Sequence, residues 1–338
     1  MTKPFRFSEA QTIEWVVTDT DSIKSLPERR FDFNKLPSKP FDIGEPQPLF
    51  KPVDQQKFDW NSLSDTVFNP DKFPTQKLKF KTTLLGAPKI TKAGLPALKA
   101  GTARGIMEAG NGLGLPGNGR CFLQDKYGMF WIGTDKGLCR YDGENMEVYS
   151  TAQGLTDANI YAITEDKKEQ IWIGTGNGEI YTLNRKAGLL KQVIDTFRHG
   201  TIATMITDKK GQIWLARIGS AVYTINEEKE TIKQFGPAEG LSHLFVVEMM
   251  QDKQGLIWIG SSNGINVIDP EAGINKRIKK SDGLSTSTNV GLLQDKLGRI
   301  WVGGDSGVNI INTTEKNNKK NRKRAGIGSS CYSSFGTG

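Results

Sequence analysis

An all-β fold, a β-propeller with five recognisable four-stranded blades, is predicted by three observations on this 338-residue chain. First, Trp131, Trp172, Trp214, Trp258 and Trp301 recur at spacings of 41, 42, 44 and 43 residues. Second, an Asp stands six residues before each: Asp125, Asp166, Asp208, Asp252 and Asp295, each followed by Lys. Third, Gly128, Gly211, Gly255 and Gly298 lie three residues after the Asp, with Glu169 the exception. A fixed period of about 40 to 45 residues with a recurring Trp marks propeller blades.

Each element has a physical reason. Asp-Lys-x-Gly is a tight turn, because Asp accepts a backbone N–H and Gly tolerates positive φ. Apolar residues flank each Trp, so the following segment reads as a strand. Gly133, Gly174, Gly260 and Gly303 stand two residues after the Trp and share its face, leaving room for a bulky neighbour; Ala216 is the exception. Within the second copy the turn residues delimit strands over 159–165, 170–175, 178–184 and 189–194. One such sheet cannot bury both faces, so the copies must stack. Gly114-Leu115, Gly154-Leu155, Gly240-Leu241 and Gly283-Leu284 mark the links between copies, and the third copy lacks this element.

The copy Asp125-Lys-Tyr-Gly-Met-Phe-Trp-Ile-Gly-Thr-Asp-Lys-Gly-Leu-Cys-Arg-Tyr-Asp142 resembles the two-component regulator propeller repeat. The resemblance implies a sensor propeller of a bacterial signalling protein, periplasmic, acting through a kinase or other output domain absent from this sequence. It implies an unidentified small molecule, glycan or protein as partner on one face. The chain departs from that pattern in having five copies, no apolar stretch long enough to span a membrane and no signal peptide at its N-terminus.

The remaining segments divide as follows. Residues 1–76 hold nine of the 14 prolines and repeat Phe-Asp at 31, 41 and 58, which reads as an extended segment with aromatic anchors. Residues 77–110 read as a linker whose stretch 77–84 alternates like a strand. Residues 111–314 are the repeats. Residues 315–338 are basic, then Gly/Ser-rich, and are expected to be disordered. The fifth copy lacks its fourth strand, so closure is expected to be incomplete or irregular, with 77–84 either pairing with 307–312 or leaving an open edge.

Charge and chemistry narrow the function. Of the net +8, six charges lie within 316–324, so the basic pI belongs to that run and nucleic acid is not expected as a partner. Three cysteines without C-x-x-C spacing give neither a disulfide framework nor a zinc site. One Asp per copy reads as turn capping, so no metal and no cofactor are expected. Two histidines, His199 and His243, are few for acid–base work, and no catalytic motif stands out, so the chain reads as a binding module rather than an enzyme. A propeller lyase or hydrolase, or a non-functional truncated fragment, are the alternatives. Strand alternation puts the Asp-Lys-x-Gly turns on one face. The loops after strand two and the links occupy the other, where Asp157, Asn159, Arg217, His243, Asn263 and Asp305 are candidate ligand contacts. The five Trp and five Asp residues are the structural repeat.

Overall fold

The structure is a computed structural model and describes residues 54–57, 60–94, 97–98, 107–108, 114–197, 200–285, 288–312 and 326–330. Blade 1 comprises Gly119–Gln124, Phe130–Thr134, Gly137–Tyr141 and Asn145–Tyr149. Blade 2 comprises Ile160–Glu165, Ile171–Thr175, Ile180–Asn184 and Leu189–Ile194. Blade 3 comprises Ile202–Thr207, Ile213–Arg217, Ala221–Asn226 and Thr231–Phe235. Blade 4 comprises Val246–Gln251, Ile257–Ser261, Gly264–Asp269 and Ile274–Ile278. Blade 5 comprises Asn289–Gln294, Ile300–Gly304, Gly307–Ile311 and Gly326–Ser330. Each blade is an antiparallel meander, as its short turns require.

The Asp-Lys-x-Gly turn is a lock. In blade 3, Asp208 Oδ1 accepts the N–H groups of Lys210 and Gln212, and Oδ2 accepts the indole N–H of Trp214 at 2.9 Å. The Asp-to-indole bond recurs in the other four blades at 2.8–2.9 Å. One carboxylate therefore satisfies the turn and fixes the Trp that would otherwise bury an unpaired donor. Glu169, standing where the other turns have Gly, adopts φ 65°. It pairs with Lys126 of the preceding blade and with Lys186.

The blades stack through the Trp face. Trp172 packs with Ile202, Met205 and Ile213 of blade 3, and Trp214 with Val246, Met249 and Ile257 of blade 4. We call the Trp face of each blade trailing and the face that meets it leading. The Gly after the Trp is needed here: a Cβ on Gly133 would lie 2.8 Å from Ile160 Cγ2, and one on Gly174 2.6 Å from Ile202 Cγ2. Ala216 fits because the next blade brings Val246, one methyl smaller, into the same cluster.

Every blade gains a fifth strand from the N-terminal segment. Lys89–Lys92 pairs with the outer strand of blade 1, Lys79–Leu84 with blade 2, Thr75–Lys77 with blade 3, Asp65–Val67 with blade 4 and Asp54–Lys57 with blade 5. The segment is a belt that runs around the rim in the reverse order of the blades. It covers the outer edges, which would otherwise expose unpaired backbone groups. Between belt strands, the short 3₁₀ turns Trp60–Ser62 and Pro70–Lys72 step from blade to blade, and Leu63, Phe68, Phe73 and Leu78 are buried as anchors. Phe68 lies against Trp214, Phe73 and Phe235, with ring centroids 5.2–6.0 Å apart. Residues Ala97–Leu98 and Met107–Glu108 form a separate two-stranded pair.

These pairings correct three expectations. The stretch 77–84 does not close the fifth blade; its strand belongs to blade 2, because the belt meets the blades in reverse order. The fourth strand of blade 5 is present as Gly326–Ser330, paired with Gly307–Ile311. The C-terminal segment therefore carries a strand where disorder was expected, since an unfilled edge offers a row of backbone partners to any following chain. The belt also crosses the boundary drawn at residue 76. The prolines and Phe-Asp pairs before residue 53, His199, and the basic run 316–324 lie outside the described residues.

Among the described residues, the five blades form an arc with two free ends. First strands pack side by side from blade 1 to blade 5. Among the described residues, no packing of that extent joins blade 5 back to blade 1. The leading face of blade 1 exposes Phe122 (68%) and Phe130 (46%), where blade 2 buries Ile163 and Ile171. The trailing face of blade 5 exposes Leu293 (63%). Closure is thus incomplete, as expected, although not for the reason expected.

Candidate functional site on the link face

One face of the arc is built from the links and the loops after strand two. In four blades these meet through a backbone bond from the loop to the residue before or at the start of strand one: Asp135 to Asn118, Gly176 to Asn159, Ile218 to Thr201 and Ser262 to Phe245. Three links begin with a 3₁₀ turn whose αL glycine, Gly154, Gly240 or Gly283, has φ near 110°. The next residue, Leu155, Leu241 or Leu284, is buried as a plug. The residue after the Leu donates its N–H to strand three: Thr156 to Tyr181, Ser242 to Asn266 and Ser285 to Asn309.

First strands begin with an irregularity of register in every blade, at Arg120, Tyr161, Ala203, Val247 and Val290. Bulges of this kind re-aim side chains and recur beside binding sites. Arg120 stacks its guanidinium over the Tyr161 ring of the next blade at 4.4 Å. It also lies close enough to Asp135 to act on its charge. The backbone N–H of Asn118, at 2.9 Å, holds the Asp135 carboxyl below its ordinary range, with burial opposing and the Asn118 amide and Arg120 assisting. In blade 4, burial pushes the Glu248 carboxyl up, while Met249 N–H and the Thr204 hydroxyl hold it from the other side. Arg120, Tyr161 and Glu248 were missed because they occupy strand one, where the repeat pattern reads only as apolar alternation. Their signal was polarity at those positions.

The six sequence candidates separate clearly. Asp157 is half-buried, and both its oxygens are engaged, by Asn159 N–H at 2.9 Å and Asn177 N–H at 3.0 Å. The structure thus brings Asp157 and Asn159 together, with Asn159 Oδ1 buried and unpartnered. His243 holds the equivalent place in blade 4: its Nδ1 accepts the N–H of Phe245, so the proton sits on Nε2. Phe245 beside it is 48% exposed. Asn263 is exposed in its loop, its N–H bonded to Ser261 Oγ, and Asp305 accepts from Ser306. Among the described residues, no hydrogen bond or ion pair links His243 and Asn263 to each other or to Asp157.

Arg217 is a correction. It is fully buried and is bound in a fork by Asp195, at 3.0 and 2.7 Å, with its guanidinium 4.9 Å from the Tyr223 ring. Phe197 packs on the same ring at 5.1 Å. This cluster stands in the one link without Gly-Leu. The departure at Ala216-Arg217 is therefore structural: an ion pair and two aromatics tie blade 2 to blade 3 where a leucine plugs the other links.

The site offers hydrogen-bond donors, one stacked cation and an exposed aromatic, which suits recognition. No group of three or more His, Cys, Asp or Glu placed to hold a metal occurs among the described residues. Burial pushes the Cys121 and Cys139 thiols up to about 12, so neither is a nucleophile near neutral pH.

Comparison with known proteins agrees with this architecture. The two-component regulator propeller model matches residues 154–177 and 240–263. Among solved structures, the extracellular domain of BT3049 from B. thetaiotaomicron, described as a hybrid two component system, is similar at 22% identity and TM-score 0.52. The match covers 60% of this chain and 29% of that one. The extracellular domain of BT4673 from the same organism is similar at 24% identity and TM-score 0.51, covering 65% and 32%. Virginiamycin B lyase from Staphylococcus aureus is similar at 15% identity and TM-score 0.52, covering 70% and 86%. This chain thus spans about a third of the length of the two signalling structures. No curated protein matches the sequence. Residues 154–177 and 240–263 of this chain are thus similar to the two-component regulator propeller repeat.

Proposed function

We propose that this chain is the sensing propeller of a bacterial signal-transduction protein of the two-component type, binding a small molecule, glycan or protein on its link face. The match of residues 154–177 and 240–263, each a link and two strands, to the two-component regulator propeller model carries this reading. The contrast between faces supports it. The Asp-Lys-x-Gly face repeats one lock five times, whereas the link face differs in every blade. Binding usually resides on variable loops held by a rigid scaffold. The extracellular origin of the similar signalling structures supports a place outside the cytoplasm.

The test is a binding screen of the purified chain against oligosaccharide and peptide arrays, repeated with variants that keep the fold. Arg120→Glu and Tyr161→Ala are expected to weaken any specific hit about tenfold or more, since a lost charged contact is worth roughly 1.5–3 kcal/mol. Lys210→Glu on the opposite face is expected to leave it unchanged. The reverse pattern overturns the choice of face. Assays against glycosides, esters and phosphate esters are expected to show only background, and turnover abolished by one side-chain change would make this chain an enzyme.

A further inference from the structure

Blade 4 departs from its neighbours at its outer edge. The third strand carries Tyr181 in blade 2 and Tyr223 in blade 3, paired with Gln192 and Gln234 of the fourth strand. The same pair in blade 4 is Asn266 and Arg277. A smaller side chain and a cation thus stand where the other two blades have a ring and a neutral amide. Here the belt, the link and the fourth strand border an open cleft of about 400 Å³. That volume lies in the lower part of the range for small-molecule sites, roughly 300–1,000 Å³. Val67 and Phe73 of the belt, with Pro237 and Ala238 of the link, form an apolar wall, while Lys72 and Arg277 bring positive charge.

Donors exceed acceptors in this cleft. The Gly240 carbonyl receives Asn266 Nδ2 at 3.0 Å, Asn275 Nδ2 at 2.9 Å, and Arg277 Nε and Nη2 at 3.1 and 2.8 Å. A carbonyl oxygen has two lone pairs, so four N–H groups oversubscribe it. The other N–H groups of the Arg277 guanidinium have no partner among the described residues. Neighbouring cations are matched by the belt: Lys233 pairs with Asp71 and Lys276 with Asp65, each at 3.2 Å. Neither Arg277 nor Lys72 has a carboxylate at ion-pair distance among the described residues. Glu239, the acid lining the cleft, instead accepts the Gly236 N–H on Oε2 at 2.8 Å. Two cations against one acid leave the cleft net positive. A half-buried guanidinium without a counter-charge favours an anion that supplies one.

We propose that this cleft is a binding site for a small organic carboxylate, separate from the Arg120–Tyr161 contact of the link face. The carboxylate is held by the Arg277 fork with Lys72 beside it, and the hydrocarbon body lies on the apolar wall. Arg suits this role because its planar N–H groups match a carboxylate in pairs. The belt supplies Lys72 and the link supplies Pro237 and Ala238, so the bound acid also ties belt to link.

The experiment titrates the 338-residue chain with phenylacetate, hexanoate and their neutral amides at millimolar concentration, read by saturation-transfer NMR. The acids are expected to bind, and the amides to bind about tenfold more weakly or less, through loss of the charged contact. Arg277→Gln installs the residue of blades 2 and 3 and is expected to weaken the acids about tenfold or more. Lys72→Gln, a change at an exposed position, is expected to weaken them about threefold. Lys276→Gln removes the same charge from the other face of the strand and is expected to leave them unchanged. Equal binding of acid and amide overturns the proposal, as does the absence of binding by either acid. So does acid binding that survives Arg277→Gln, or Lys72→Gln where the first variant does not fold. Displacement of the acids by equimolar inorganic phosphate would show that the apolar wall contributes nothing and overturn it too. Acid binding lost in Arg120→Glu but kept in Arg277→Gln would assign the acids to the link face and likewise overturn it.

Discussion

At the scale of the residue, the Asp of each turn carries more than its turn. Replacing Asp208 by Ala leaves two backbone N–H groups and a buried indole N–H without acceptors. The expected loss is about 3 kcal/mol or more in urea unfolding, with Asp208→Asn costing about half. Equal costs would show that the two backbone bonds, which Asn keeps, contribute nothing beyond the indole bond that it loses. The same lock sets an acid limit. The Trp301 indole, with Arg299, holds the Asp295 carboxyl down at about 2 despite opposing desolvation. A carboxyl lowered in the folded state stabilises above its unfolded value near 4 and loses that contribution as pH falls toward 2. The melting temperature is therefore expected to fall between about pH 4 and pH 2. Asp295→Asn is expected to flatten part of that slope, and an unchanged slope would refute the assignment. Arg217 and Asp195 teach a different lesson. Asp195→Ala strands a buried guanidinium and is expected to cost about 3–5 kcal/mol. A ligand-contact residue would instead change binding with the fold intact. The Asp–Trp spacing was legible in the sequence because both partners lie in one turn and strand. The Arg217 pair was not, because its partner comes from the preceding link, 22 residues earlier.

At the scale of the element, the belt is the main addition to the repeat. Its strands are only three to six residues long and mostly exposed, so their sequence shows little alternation. Their stability comes from backbone pairing along blade edges and from the anchors between them. Phe68→Ala is expected to cost about 3–5 kcal/mol, because the ring is 3% exposed and packs on three other rings. Val67→Ala, one residue earlier with a side chain 79% exposed, is expected to change stability by less than about 0.5 kcal/mol. Limited proteolysis distinguishes the two roles: Phe68→Ala should expose the belt to cleavage before the blades unfold. If blades and belt are lost together, the belt belongs to the cooperative core. The sequence anticipated aromatic anchors in this region but not the register or the reverse order. Both are fixed by which blade edges are near, and no local pattern encodes that.

At the scale of the molecule, the five blades are stacked through one repeated contact and, among the described residues, form an arc rather than a closed ring. A stack of this kind behaves as a chain of nearest-neighbour interfaces, with terminal units less protected than internal ones. Hydrogen exchange is expected to be slowest in blades 2 to 4 and faster in blades 1 and 5, and uniform protection would mean that the ends are covered. The sequence by itself determined the repeat, its period, the turn-and-Trp lock and the five blades, because each depends on contacts within about 40 residues that recur in register. The tertiary structure alone decided the rest. It gave the outer edges to the N-terminal belt, supplied the fourth strand of blade 5 from 326–330, and buried Arg217 as a staple. These features join residues separated by 16 to more than 200 positions. Such pairings are chosen by which edges and charges remain unsatisfied once the blades have stacked, and that competition exists only in three dimensions.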